Sequence, residues 1–247
     1  MIHIWCLPGF LGKAGDWAPL ESHLGGAGEI LFHPLDLPAS PGKIRPFPYW
    51  ARKFNAGVPD SGGINVLAGY SLGGRLALHA LLQPDAPWDG AVLISAHPGL
   101  STEAERKARL ASDEEWARRF EEEPWEHLLE EWNARPVFGG RPLPPRKEEE
   151  FSRPALAAIL RTWSLGLQEP LWDRLHHIRI PVLWCAGAED EKFLILGRRA
   201  VELLPKGTFR AVPGAAHRVH LEAPEPLAGF MEEFLALFQG RNGLTPR

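Results

Sequence analysis

Cysteine is scarce in this chain, with two among 247 residues. Cys6 and Cys185 each fall inside a short apolar run, so they read as small core residues. That leaves no disulfide framework and no cysteine-based metal cluster, and no other metal-ligand pattern or cofactor motif is present. A strong charge of either sign is also lacking. The formal net charge is −4 at pH 7, which excludes a general affinity for nucleic acid or other polyanions. Long hydrophobic runs are missing too. Met1–Leu7 has no basic segment, and Pro8 cuts the run short, so it reads as a first core strand and not as a leader. The apolar stretch 64–82 is interrupted by Asn65, Ser71, Arg75 and His79, which excludes a membrane span. The expected setting is a reducing cytoplasm. No feature reports an oligomeric state.

What is present is a chain 45% hydrophobic and 23% charged, enough for one domain with a sizeable core. Short apolar runs alternate with helical patterns. Ile2–Leu7, Glu29–Leu35, Ile64–Ala68, Ala91–Ser95, Pro181–Ala186 and Thr208–Val212 are the expected strands. Helices are expected near 46–57, 72–83, 192–204 and 225–239. Such alternation predicts an α/β fold, a mostly parallel sheet with helices on both faces. From about Ser101 to Arg161 the alternation stops. No strand pattern occurs there, and the segment holds about two-fifths of the charged side chains, the mark of solvated helix faces. Trp116, Phe120, Trp125, Leu128, Leu129 and Trp132 recur at helical spacings between those charges. Arg141-Pro142-Leu143-Pro144-Pro145 is a stiff break between helices. The segment 97–165 is therefore expected to be an inserted helical lid, with 1–96 and 166–247 forming the core. The polar tail Gly240–Arg247 is expected to fray.

The chemistry concentrates at Gly69-Tyr70-Ser71-Leu72-Gly73-Gly74-Arg75. An apolar strand precedes it and a helical pattern follows. In that context G-x-S-x-G is a sharp turn that exposes a reactive serine at the sheet edge. The small Gly69 and Gly73 let strand and helix pass closely, and the helix N-terminus favours developing negative charge. A serine hydroxyl needs a neighbour to take its proton, and imidazole oriented by a carboxylate is the usual partner. Asp190 ends the apolar run 181–190, with Glu189 and Glu191 as competitors and helix capping as an alternative role. His217 follows the last expected strand in a Gly-x-x-His loop. His220 is its rival, and reads better as a histidine making local hydrogen bonds. The order Ser71, Asp190, His217 suits a hydrolase-type triad. The oxyanion hole requires two backbone amides. Leu72, directly after the serine, and Phe10, in the loop Pro8-Gly9-Phe10-Leu11-Gly12, are the candidates.

Together these residues resemble the α/β-hydrolase superfamily over nearly the whole chain. Within it, the elbow is similar to that of the 2-succinyl-6-hydroxy-2,4-cyclohexadiene-1-carboxylate synthases. His97-Pro98-Gly99-Leu100, Ala104-Glu105-Arg106, Arg109, Trp116, Arg119-Phe120, Glu123-Pro124, Trp132, Pro136-Val137-Phe138, Ser164-Leu165 and Gly187–Phe193 continue the resemblance. It implies a lyase of menaquinone biosynthesis that eliminates pyruvate from a small anionic polycarboxylate, without metal or cofactor. It also implies that Tyr70, Arg75, Arg109, Trp132 and Lys192 line the substrate site. Arginine suits that role, because its planar fork matches a carboxylate. Taken alone, Arg75 and Arg109 could be surface charges and Trp132 lid core. The family's further lid arginine has Arg146 and Arg153 as candidates here. Pro8 stands where many relatives have histidine. Asp36-Leu37-Pro38-Ala39-Ser40-Pro41 replaces the usual glycine-rich loop, which bears on the pocket floor. The same triad would serve an ester or thioester hydrolase with Ser71 as nucleophile.

Overall fold

Strands form where the chain is apolar and β-branched, and a period of two sorts their side chains between two helical layers. The computed structural model describes residues 1–24, 30–60, 62–141 and 144–239. Its six strands are β1 (Ile2–Leu7), β2 (Ile30–Pro34), β3 (Ile64–Tyr70), β4 (Gly90–Ile94), β5 (Val182–Gly187) and β6 (Gly207–Val212). They form one sheet in the order β2-β1-β3-β4-β5-β6. Every pairing is parallel, where the sequence pattern required only a mostly parallel sheet.

On β3, Val66 and Ala68 turn to one face and Leu67 to the other. The first face packs against α1 (Ala18–Leu24) through Leu20 and Leu24, and its other cover carries Leu227 and Met231 near the C-terminus. The second face packs against α2 (Phe47–Ala56) and α3 (Leu72–Leu81). Burial of both faces explains why the central strands read as near-continuous apolar runs. Helix α1 was not legible beforehand. It is seven residues long and buries only Leu20 and Leu24, too short for a periodic signal.

Between β4 and β5 lie α4 (Glu103–Glu122), α5 (Trp125–Asn133) and α6 (Arg153–Thr162), with no strand among the described residues. Thr102 caps α4 through a reciprocal pair with Glu105. Phe120, Trp125, Leu128 and Trp132 share a cluster with Leu156 and Leu160 of α6. Arg161 bridges Glu114 and Glu121, tying α6 to α4. Ala155, Ile159 and Trp163 belong instead to the main core under α3. The inserted helices therefore sit on the sheet domain through α6.

After β5 come α7 (Glu191–Glu202), and after β6 the short α8 (Val219–Glu222) and α9 (Pro224–Leu235). The strand-edge residue Glu29, the break residues Pro142 and Leu143, and the tail from Gly240 onward lie outside the described residues. No helix among the described residues is long and apolar enough to cross a membrane.

Candidate active site

Ser71 stands between β3 and α3 with φ of +51°. A non-glycine residue rarely adopts that region, and such strain persists only where packing enforces it. Two glycines make the enforcement possible. A Cβ on Gly69 would lie 2.5 Å from the Gly73 carbonyl oxygen, and one on Gly73 would lie 2.1 Å from that of Leu7. Strand and helix thus meet closer than any side chain allows.

The His217 ring reaches Ser71 Oγ through Nε2 at 3.1 Å. Its Nδ1 lies 2.8 Å from Asp190 Oδ2. Asp190 also caps α7, since its Oδ1 accepts from the Phe193 amide at 3.2 Å. The carboxylate therefore fills both roles open to it in the sequence. Glu189 pairs with Arg141 at 2.6 Å and stays outside the constellation. The loop Pro8–Gly12 lies against the serine, where a Cβ on Gly9 would come within 3.5 Å of Ser71 Cβ. Neither the Phe10 amide nor the Leu72 amide donates to a protein acceptor among the described residues.

A cavity opens over Ser71 and His217, walled by α4, α5, α6 and the α7 start. All five residues expected in the substrate site line it: Tyr70, Arg75, Arg109, Trp132 and Lys192. Arg75 is buried, not a surface charge. It donates to Gln168 Oε1 at 3.3 Å and to the Trp163 carbonyl. Burial, with Arg109 nearby, pulls its pKa down to about 9. Arg109 places Nε at 2.8 Å from both oxygens of Asp113. Lys192 has its pKa lowered by burial and by Arg109. Tyr70 is raised by burial and stays a neutral hydroxyl. Trp132 both packs in the cluster of the inserted helices and walls the cavity.

Of the two further arginines, Arg146 reaches the cavity and pairs with Asp16 at 2.6 Å. Arg153 does not. It donates to the carbonyls of Phe120 and Glu123 and closes lid backbone. Arg135 and Arg218 also line the cavity. Sequence reasoning missed both, because neither stands in a motif. The Asp36–Pro41 loop bears on a different place from the one expected. Asp36, Leu37 and Pro38 line a separate cavity with Trp5, Trp50 and Phe54, and none of the loop's residues lines the cavity over Ser71. His220 departs from expectation too. It is buried against Trp17 and Tyr70, and its Nδ1 finds no hydrogen-bond partner among the described residues.

An alpha/beta hydrolase family model matches residues 6–230, most of the chain. The chain belongs to the alpha/beta hydrolase family. This hydrolase-family chain is 37% identical over 175 residues to a 2-succinyl-6-hydroxy-2,4-cyclohexadiene-1-carboxylate synthase of Serratia proteamaculans, covering 68% of the chain and 67% of the relative. A synthase of the same name from Salmonella typhimurium is 29% identical over 253 residues, covering 94% and 92%. Among solved structures, MenH from S. aureus superposes with a TM-score of 0.85 at 24% identity, over 96% of this chain and 94% of that one. A thermophilic esterase from Thermogutta terrifontis gives 0.71 at 16% identity, over 96% and 90%. At those identities the structures speak for the shared fold alone.

Three buried histidines set an acid limit on this alpha/beta hydrolase. Burial is the first cause that lowers His79, His97 and His220, each to about 3. Neighbouring cations, Arg75 for His79, Lys192 for His97 and Arg146 for His220, push the same way. In the unfolded chain histidine titrates near pH 6.5, so unfolding takes up protons below that value. The stability these neutral rings contribute is complete above about pH 6.5 and is lost as pH falls towards the folded value. The unfolding free energy should therefore fall as pH drops from 7.5 to 5, by up to about 1.4 kcal/mol per pH unit for each ring, and denaturant midpoints should fall with it. His79→Leu should flatten that slope. A midpoint constant over the same window would contradict the assignment.

Proposed function

We propose that this chain is a carbon–oxygen lyase of the 2-succinyl-6-hydroxy-2,4-cyclohexadiene-1-carboxylate synthase type, acting in menaquinone biosynthesis. One observation supports it most: the charge around the serine. Six cations line the cavity, Arg75, Arg109, Arg135, Arg146, Lys192 and Arg218, against two carboxylates, Asp16 and Asp113. Desolvated positive charge in excess is costly unless a ligand supplies the anion. A small polycarboxylate does so, and an apolar ester does not.

In this reading Ser71, His217 and Asp190 are the catalytic unit. Asp190 holds the imidazole so that Nε2 faces the Ser71 hydroxyl, and the pair acts as the base. The base takes an acidic ring-bound proton of the substrate. The electron pair of that C–H bond moves into the conjugated system, and the carbon–oxygen bond to the three-carbon group breaks. Pyruvate leaves as its enolate and takes up a proton. The Phe10 and Leu72 amides meet the negative charge that develops on the acceptor oxygen. Tyr70, Arg75, Arg109, Trp132 and Lys192 bind and orient the anion. Residues 97–165 act as the lid, and 1–96 with 166–247 as the core. Two buried thiols fit a cytoplasmic setting.

The rival is an ester or thioester hydrolase that uses Ser71 as a covalent nucleophile. The triad alone fits both. The deciding experiment is pyruvate release from the pathway intermediate, run beside hydrolysis of a short-chain aryl ester. Pyruvate release with weak ester turnover is expected. Ester turnover without pyruvate would give the rival reading the site.

A further inference from the structure

The cavity cations differ in how their charge is met. Arg109 is paired with Asp113, and Arg146 with Asp16. Arg75 donates to neutral acceptors, the Gln168 side chain and the Trp163 carbonyl. Arg135 has none of these. Its guanidinium makes no hydrogen bond and no close ion pair with any described residue, and Asp113, already paired with Arg109, acts on it only from beyond ion-pair distance. What holds it is cation–π contact with two indoles. The group lies 4.4 Å from the Trp132 ring centre and 5.7 Å from that of Trp116. The contrast with Arg119 is informative. Arg119 also covers Trp116, at 4.4 Å, yet it is paired with both Glu123 and Glu131.

A guanidinium carries its five N–H donors in its plane and offers its faces to aromatic rings. The two indoles stand nearly perpendicular to each other, at 88°, and neither supplies a hydrogen-bond acceptor, so the N–H donors are left for a ligand. Here those donors belong to a half-buried group on the cavity wall. Burial lowers its pKa, and Arg109 lowers it further. A carboxylate that enters offsets both costs, because a guanidinium fork can bind its two oxygens together. The indoles also remove most of the side chain's freedom beforehand, so little ordering remains to be done at binding. Arg75, by contrast, is buried on α3 and has its donors engaged by Gln168 and the Trp163 carbonyl.

We propose that Arg135 is a specificity-determining residue that binds a carboxylate of the substrate at the cavity wall, its guanidinium held against Trp132 and Trp116. The inference rests on the polycarboxylate reading above and adds a second anion contact to it. It makes the pocket selective for substrates with carboxylates at separated positions over monocarboxylates.

The test compares Arg135→Gln and Arg135→Lys with the parent enzyme. Gln removes the charge and Lys keeps it without the fork. For pyruvate release from the pathway intermediate, Arg135→Gln should raise KM by about 10-fold or more, with kcat changed by no more than about 3-fold. Arg135→Lys should recover part of that loss. A residue that only packs the lid would move kcat and KM together and would not respond to the charge of its replacement, and that pattern would overturn the proposal. Calorimetric titration with tricarballylate and with acetate provides an arm independent of turnover. If the enzyme releases no pyruvate but binds tricarballylate, and Arg135→Gln weakens it about 10-fold while acetate binding is unaltered, the lyase reading falls and the Arg135 inference stands. Equal tricarballylate affinity in parent and variant, or no affinity in either, would overturn the inference itself.

Discussion

Ser71→Ala and His217→Ala should each reduce turnover by roughly 10³-fold or more, and Asp190→Ala should reduce it steeply as well. The ground is geometric. One imidazole joins the serine at 3.1 Å and the aspartate at 2.8 Å. Removing the hydroxyl takes away the group that meets the substrate, and removing the ring leaves no acceptor for its proton. The residues act as a unit, so Ser71→Ala with His217→Ala should lose little beyond either alone. Asp190→Ala carries a second consequence, because the same carboxylate caps α7 through the Phe193 amide. A lost cap costs about 1 kcal/mol, so this variant should also melt lower, whereas Ser71→Ala should not. Relieving the strained φ of +51° is no part of the Ser71→Ala change, since alanine inherits it. Steady-state rates of pyruvate release and thermal melts of each variant check the set. Ser71→Ala with parental turnover would remove the mechanism in both its lyase and hydrolase forms.

The sheet was legible because its strands are buried on both faces, so each is an apolar run bounded by breakers. Five of the six expected strands overlap β1 and β3 to β6 to within about two residues at their ends. β2 covers Ile30–Pro34 of its expected run. The cluster of Ser71, Asp190 and His217 was legible because its members stand where strands end: Ser71 directly after β3, Asp190 shortly after β5, and His217 shortly after β6. Sequence order and local punctuation suffice for residues of that kind. The cationic wall of the cavity was legible only where a motif carried it. Arg75 follows the elbow, and Arg109 stands in the lid entry. Arg135 and Arg218 have no such marker. Their place depends on tertiary packing, with Arg135 on two indoles and Arg218 held by Asn133 and over the Phe138 ring. Arg146 and Arg153 could not be separated in sequence for the same reason. Both are arginines near a helix start, and only the fold shows one meeting Asp16 and the other the lid backbone.

Arg75→Met should separate anion binding from stability. Arg75 is 7% exposed and finds only neutral hydrogen-bond acceptors, and burial is what draws its pKa down. A charge in that position is held at a cost to the fold, and an apolar side chain of similar length is tolerated or stabilising. On the proposed reading its worth lies in the substrate. A desolvated arginine–carboxylate contact contributes on the order of 2–4 kcal/mol, so its loss should lower kcat/KM for the anionic intermediate by roughly 30- to 1000-fold. The melting temperature should stay level or rise. Arg109→Ala is a less clean probe, because it strands the buried Asp113, which would keep only the Ser164 hydroxyl as a donor at 2.7 Å. That variant should lose activity and stability together. Hydrolysis of a small neutral ester supplies the contrast, since it has no carboxylate to lose and should change only a few-fold in Arg75→Met. The ratio of the two activities is thus the decisive quantity. Equal losses on both substrates, accompanied by a lower melting temperature, would assign Arg75 to the architecture under α6 and not to the recognition of an anion.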